Sequence, residues 1–249
     1  MTNILLCGAN GKMGHVIENL VSGREDAKII AGIDMKTDAY ADFPIYSSFD
    51  EFDGTADVVV DFSNPVILPS LLAYVIRTGT PLVAATTGYS EEQTAAIRKA
   101  AEQVAVFSSF NMSLGINLMV ELAKKAASIL GGQFDIEIIE KHHNQKIDAP
   151  SGTALMLADA LNEAAGERYL YEYDRHSKRQ KRDPHEIGIH SVRGGTIVGE
   201  HEVLFAGRDE ILSIRHTAMS KEIFAVGAVN AALFLKGKPA GLYDMADLI

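Results

Sequence analysis

Three glycines spaced three apart place the tightest limit on what this chain can become. Gly8-Ala-Asn-Gly11-Lys-Met-Gly14 follows the apolar run Ile4-Leu5-Leu6-Cys7, and Met13, Val16, Ile17, Leu20 and Val21 then recur at helical spacing. The order is strand, glycine turn, helix. Gly8 permits the tight turn, Gly11 lets the main chain approach a pyrophosphate, and Gly14 lets the helix lie close on the strand. The free N–H groups of such a helix start favour phosphate. A glycine turn alone is a weak signal, so its context has to carry the reading. That context is a second apolar run, Ile29-Ile-Ala-Gly-Ile33, ending in Asp34. An acid about 20 residues beyond the last glycine is placed to bond the adenosine ribose hydroxyls of a dinucleotide. A carboxylate there repels a 2′-phosphate and favours NADH. Lys36 either offsets that repulsion or is an ordinary solvated lysine, so NADH and NADPH both stay open.

The rest of the first half repeats the alternation. Residues 35–54 are polar and irregular. Ala56-Asp-Val-Val-Val-Asp-Phe62 reads as a buried parallel strand. Ser63-Asn64-Pro65 turns into a helix running to about Thr78, and Pro81-Leu-Val-Ala-Ala85 is the next strand. Ser90 caps a helix with Glu91 and Glu92 in its first turn, and Val104-Ala-Val-Phe107 follows as a strand. Such β-α alternation predicts an α/β fold with a doubly wound parallel sheet, whose ligands lie beyond the carboxyl ends of the strands. The loops at Gly8, Asp34, Ser63, Thr86 and Asn111 all fall on that edge. Their small polar residues are also ordinary turn chemistry.

The second half reads differently. Asn117 to Leu130 is a helix with Leu118, Leu122, Ala126 and Ile129 on one face, and Gly131-Gly132 stops it. Phe134 to Glu140 alternates as a strand. It leads into Glu140-Lys-His-His-Asn-Gln-Lys-Ile-Asp-Ala-Pro-Ser-Gly-Thr153, where His142, His143 and Lys146 fall close together. Pro150 breaks regular structure before it, Ser151 suits an N-cap, and Gly152 and Thr153 begin a helix. Ala154, Leu157, Ala158, Leu161 and Ala165 give that helix an apolar face. Singly, these features are exposed histidines and a simple cap. Clustered, they read as a pocket for a small carboxylate-bearing substrate that must be protonated. No metal is expected. Adjacent histidines on a strand point to opposite faces, and no spaced His/Cys set accompanies the single cysteine.

Residues 166–186 are polar, and the basic run from Arg175 to Arg182 is expected to be a solvated loop. Ile187 to Val192, Thr196 to Phe205 and Glu210 to Thr217 are expected as antiparallel strands. A last helix, from near Lys221 to about Leu235, presents Phe224, Ala228, Ala231 and Leu235 on one face. The expected division is a dinucleotide-binding domain over residues 1–113, to which about 222–249 return. Residues 114–221 then form a smaller α+β domain for substrate binding and oligomerisation.

The formal net charge of −10 over 249 residues argues against a nucleic-acid partner. No apolar run approaches the length of a membrane span. The N-terminus carries no basic segment of the kind that opens a signal peptide, and Cys7 is the single cysteine. The expected location is the cytoplasm.

Gly8–Gly14 together with Glu140–Ala154 closely resembles the dihydrodipicolinate reductase family, also called 4-hydroxy-tetrahydrodipicolinate reductases. Ala85-Thr-Thr-Gly88, Asn111-Met-Ser-Leu-Gly115 and Val198-Gly-Glu-His201 extend the resemblance over essentially the whole chain. The glycine motif is shared by many families; the run His-His-x-x-Lys-x-Asp-Ala-Pro-Ser-Gly-Thr is specific to this one. The resemblance implies a Rossmann-type first domain and NADPH- or NADH-dependent reduction of 4-hydroxy-tetrahydrodipicolinate to tetrahydrodipicolinate in diaminopimelate and lysine biosynthesis. It implies that His142 is the general acid and Lys146 a proton donor. His143 contacts the substrate, and the helix start of Ser151, Gly152 and Thr153 binds it, the last two through a carboxylate. Cofactor contacts are implied for Gly8, Ala9, Asn10, Gly11, Lys12 and Met13, for Asp34, for Ala85, Thr86 and Thr87, and for Ser109, Phe110, Asn111 and Met112. A cytoplasmic homotetramer joined through the second domain's sheet is implied as well. One position departs from the pattern: some members carry Arg directly after the strand-end acid, and here it is Met35. Any NADPH preference would then rest on Lys36 or Lys12. Two other classes share parts of this pattern, another two-domain amino-acid dehydrogenase and a non-catalytic NAD-sensing module. Neither needs the Asp-Ala-Pro-Ser-Gly-Thr helix start beside a His-Lys pair.

Overall fold

The computed structural model describes residues 1–166 and 168–249. Its contacts divide the chain into two compact units, Met1–Leu114 with Glu222–Ile249, and Gly115–Lys221.

The first unit is built on a seven-stranded sheet. Its strands are β1 (Thr2–Cys7), β2 (Ala27–Ile33), β3 (Ile45–Tyr46), β4 (Val58–Asp61), β5 (Leu82–Ala84), β6 (Ala105–Ser108) and, from the chain's end, β12 (Gly241–Tyr243). They run in the order β12-β6-β5-β4-β1-β2-β3, and every pairing is parallel. Both faces are buried, as the apolar strands require. Ile4, Leu6, Val58 and Val60 pack on one face with α1 (Lys12–Ser22) and α6 (Glu222–Leu235). Leu5, Cys7, Val59 and Leu82 pack on the other with α2 (Leu68–Thr78) and α3 (Glu91–Ala100). Ser90 and Gln93 close a reciprocal capping box at the start of α3. The stretch 35–54, expected to be irregular, contributes the short edge strand β3, and the C-terminal tail adds β12 beside β6.

The second unit holds α4 (Leu114–Leu130), β7 (Asp135–His142), α5 (Gly152–Ala164), β8 (Leu170–Glu172), β9 (Glu186–Arg193), β10 (Gly199–Ala206) and β11 (Ile211–Ala218). Its sheet runs β11-β10-β7-β9-β8. The expectation of an antiparallel run is corrected here. β10 is antiparallel to β7 and β11, but β9 lies parallel to both β7 and β8, and β7 separates it from β10. The reason is a pair of returns: α5 brings the chain back to the start of the sheet for β8, and residues 173–185 bring it back again for β9, as parallel neighbours need.

The apolar face expected for α4 is also corrected. Leu118, Leu122 and Ile129 are exposed, while Ile116, Met119, Ala123 and Ala127 are buried against the sheet. The helix is apolar over most of its girdle, and two of its inward residues are alanines, which allow close approach. Periodicity alone could not choose between the two stripes. The basic run is not a solvated loop throughout. Arg175 pairs with Glu186, Lys178 with Glu172, and Arg182 with Asp135 and Glu137. Asp135, Glu137 and Glu186 lie at the beginnings of β7 and β9 and Glu172 at the end of β8, so the loop folds back onto the sheet. Among the described residues no helix is long and apolar enough to cross a membrane.

Candidate active site

In the first unit the carboxyl ends of five parallel strands bring the expected loops to one edge. Gly8 ends β1 at φ +78°, and a side chain there would lie 2.4 Å from the carbonyl oxygen of Phe62. Gly11 is the N-cap of α1, and no side chain caps that helix start. A Cβ on Gly14 would sit 2.2 Å from the Ala9 carbonyl oxygen, so this glycine allows α1 to pack on the turn. Asn10, Lys12 and Met13 complete the loop. Asp34, just past β2, accepts from the Asn10 N–H at 2.9 Å and from the Lys36 N–H at 3.1 Å. The Asn10 side chain bonds the carbonyls of Lys36 and Asp38. The glycine loop and the acid loop are thus laced together, with Met35 fully turned to solvent at 92% exposure.

Beside them, Asp61 at the end of β4 is buried, and that burial raises its pKa against the pull of its hydrogen bonds. Ser63 Oγ donates to it at 2.5 Å and Tyr89 at 3.0 Å, while Thr86 Oγ1 accepts from the Ser63 N–H at 2.8 Å. Asp61 was not singled out from sequence, yet it organises the loops that carry Ala85, Thr86 and Thr87. After β6, Ser109, Asn111 and Met112 form a tight turn in which Ser113 N–H donates to Asn111 Oδ1 at 2.9 Å, and Phe110 stands exposed. A bare glycine cradle at an uncapped helix start, an acid at the next strand end and a polar wall opposite fit a dinucleotide.

The second unit's cluster lies at one end of its sheet. His142 is the last residue of β7, and Gly152 opens α5 under the cap of Ser151, whose Oγ accepts from the Ala154 N–H at 3.2 Å. His143 and Lys146 are half-buried in the connecting loop, where Lys146 pairs with Asp148 at 2.8 Å. Thr153 follows Gly152 in the first turn of the helix.

Three residues missed by sequence reasoning complete the cluster. Glu140 is fully buried and lies two residues before His142 on the same face. His142 Nδ1 is 2.6 Å from Glu140 Oε2, and Arg193, in register with His142 on β9, grips the same carboxylate with both Nη atoms at 2.7 Å. His201 on β10 pairs in register with Glu140, and its Nε2 is 3.0 Å from Ser151 Oγ. Burial pushes the Glu140 pKa up, but its bonds to Arg193 and His142 outweigh that and hold it at about 2. Burial lowers the pKa of His142 against the opposing pull of Glu140, and burial first, then His142, brings His201 to about 4. A signal for Glu140 was present in sequence. Ile136 and Ile138 are inward on an alternating strand, so an acid two positions on must be buried and paired. Among the described residues no group of three or more His, Cys, Asp or Glu is arranged to hold a metal.

Residues 2–112 match the family model described as dihydrodipicolinate reductase, N-terminus, and residues 115–249 match dihydrodipicolinate reductase, C-terminus. The chain is 49% identical over its whole length to a 4-hydroxy-tetrahydrodipicolinate reductase of Caldanaerobacter subterraneus subsp. tengcongensis, covering 98% of that protein. It is 48% identical to the enzyme of the same name from Clostridium tetani, over 98% of this chain and 96% of that one. Among solved structures it is similar to a dipicolinate-bound dihydrodipicolinate reductase from Paenisporosarcina sp. TG-14. The TM-score is 0.83 at 25% identity, with both chains fully covered.

Proposed function

The chain belongs to the dihydrodipicolinate reductase family, and from that premise we propose how its own residues carry out the reduction. It is a nicotinamide-dependent oxidoreductase that reduces 4-hydroxy-tetrahydrodipicolinate to tetrahydrodipicolinate. When bound, the nicotinamide supplies a hydride to the substrate ring. Gly8, Ala9, Asn10, Gly11, Lys12 and Met13 would hold the pyrophosphate, and Asp34 would bond the ribose. Ala85, Thr86, Thr87 and Ser109 to Met112 would wall the nicotinamide end. Both NADH and NADPH are accepted, since one carboxylate faces the ribose while Lys12 and Lys36 stand near the same loop.

Loss of the 4-hydroxyl as water leaves a carbon–carbon double bond conjugated with the ring imine. Hydride delivery to the carbon that bore the hydroxyl then leaves electron density on the neighbouring carbon, which needs a proton. His142 supplies it. A substrate carrying two carboxylates adds negative charge beside the ring and favours its protonated form. Lys146 brings positive charge to the bound substrate and is the second proton source. One substrate carboxylate sits on the N–H groups of Gly152 and Thr153 beyond the Ser151 cap, with His143 against it.

The observation that carries this reading is the junction of His142 with a capped helix start through one carboxylate, Glu140. Support for a dicarboxylate comes from the dipicolinate held by the Paenisporosarcina relative. We also place the protein in the cytoplasm, as a homotetramer joined through the β7–β11 sheet. α4 and α5 cover one face of that sheet, whereas Val192 on the other is 44% exposed. The test is an assay coupled to the synthase that makes the substrate, with NADH and NADPH in parallel. Consumption of either cofactor only when synthase product is present is the expected result, and no consumption with either would refute the assignment.

A further inference from the structure

Glu140 takes no chemical step in the reaction drawn above, yet donors from Arg193, His142, Ser191 and Ser151 converge on its two oxygens. Oε2 receives His142 Nδ1 at 2.6 Å and Arg193 Nη1 at 2.7 Å; Oε1 receives Arg193 Nη2 at 2.7 Å and the Ser151 N–H at 3.0 Å. A carboxylate this deeply buried must be paired and hydrogen-bonded. Arg193 alone would satisfy the charge. Besides the Ser191 hydroxyl, the other donors are the imidazole and the cap of the helix start, the two parts of the site that must stay in fixed relation.

On the reading that His142 delivers the proton, we propose that Glu140 is the positioning residue of this site. It holds His142 in the Nδ1–H tautomer, leaves Nε2 as the nitrogen that transfers the proton, and ties the ring to the start of α5. An ionised Glu140 keeps the proton on Nδ1 of the neutral ring and stabilises the imidazolium when Nε2 is also protonated. Gly199 supports the arrangement, because a Cβ there would lie 3.1 Å from Nε2 and crowd it. The other groups around the ring oppose protonation. Arg193 on β9 and Lys146 in the loop, itself paired with Asp148, bring positive charge. His201 on β10 has its ring centroid 5.2 Å away, and His216 on β11 stands in register beyond it.

An amide in place of Glu140 offers an acceptor at only one end. If its NH2 faces the ring, Nδ1 must accept and the proton moves to Nε2. If its oxygen faces the ring, the NH2 meets the Ser151 N–H. Glu140→Gln is therefore expected to lower kcat by about ten-fold or more and to move the alkaline limb of the kcat–pH profile to lower pH by about one unit. Arg193→Gln is expected to move that limb the other way, because it removes a cation that disfavours the imidazolium. Cofactor affinity stays at the wild-type value in both. The 15N shifts of His142 in the wild-type protein are expected to report Nδ1–H at high pH. A purely structural Glu140 would move neither the limb nor the tautomer.

Superimposable pH profiles in wild type and Glu140→Gln, limbs shifting the same way in both variants, or an Nε2–H tautomer in the wild type would each overturn the proposal. Should Glu140→Gln not fold, Arg193→Gln and the wild-type spectrum still decide. His142→Gln is the control. If it turns over normally, the assignment of the acid fails. If it is inactive while Glu140→Gln is unchanged, only the role of Glu140 fails.

Discussion

At the scale of single residues, burial sets the charge of His201. Its side chain is 5% exposed, and its pKa falls from 6.5 to about 4. Above pH 6.5 the folded and unfolded chains are both neutral at this ring. Between 6.5 and 4 the unfolded chain takes up a proton that the folded one refuses, so stability drops as pH falls and levels off below about 4. The shift corresponds to about 3 kcal/mol at roughly 1.4 kcal/mol per unit. His142 and His216, also lowered by burial, act in the same direction. Glu140, held at about 2, adds a second loss as pH falls from its unfolded value near 4.5 towards 2. Urea midpoints measured from pH 7 to pH 4 should therefore fall steeply in the wild type and less steeply in His201→Gln. Parallel slopes would mean that His201 is not kept neutral by the fold. Asp34 permits a second test. Asp34→Ala should weaken NADH by about ten-fold, in line with loss of charge-assisted hydrogen bonds, and NADPH by less, since a repulsion goes too. Titration showing equal weakening would assign Asp34 to bracing Asn10 and Lys36 rather than to the ribose.

Among the elements, α6 shows how closely the first unit is packed. Ala225, Ala228, Val229, Ala231, Ala232 and Leu235 are all buried. Gly227 lies against the chain at Met112, where a Cβ would come within 1.7 Å of the carbonyl oxygen. No rotamer change relieves a contact with main chain. Gly227→Ala should thus cost about 1–3 kcal/mol through overpacking, only partly offset by the better helix propensity of alanine, about 1 kcal/mol. Thermal melting should show a Tm several degrees lower. Because Met112 stands in the loop proposed to meet the cofactor, the dinucleotide Kd should rise as well. A variant with unchanged Tm and Kd would show that α6 can slide away from the loop at no cost.

For the whole molecule, the second unit's sheet raises the question of what lies on its outer face. Along that face Lys141 and Arg215 both pair with Glu200, His190 pairs with Glu137, and Ile139 and Leu204 lie half-buried between them. β11 is an edge strand with Ile211 70% exposed, the kind of edge that natural sheets cover. Light scattering is expected to give a multiple of the 26.9 kDa chain mass that holds on dilution. A mass of one chain at every concentration would defeat the tetramer proposal.

What the sequence determined by itself was local or periodic. The β-α alternation, the glycine turn at Gly8, the cap at Ser90 and the helix start at Ser151 all follow from neighbours a few residues apart, where backbone freedom and hydrogen bonding act directly. The gathering of polar loops on one edge followed from alternation, because a parallel sheet puts every strand's carboxyl end on the same side. The tertiary structure decided what depends on distant partners. It set β9 parallel to β7, placed β12 beside β6, and buried Ile116 and Met119 rather than Leu118 and Leu122. It also brought Arg193 and His201 to Glu140 and His142, residues about 50 to 60 positions apart that meet only through strand register. Register is set by summed packing across the sheet, and no short stretch of sequence carries that sum.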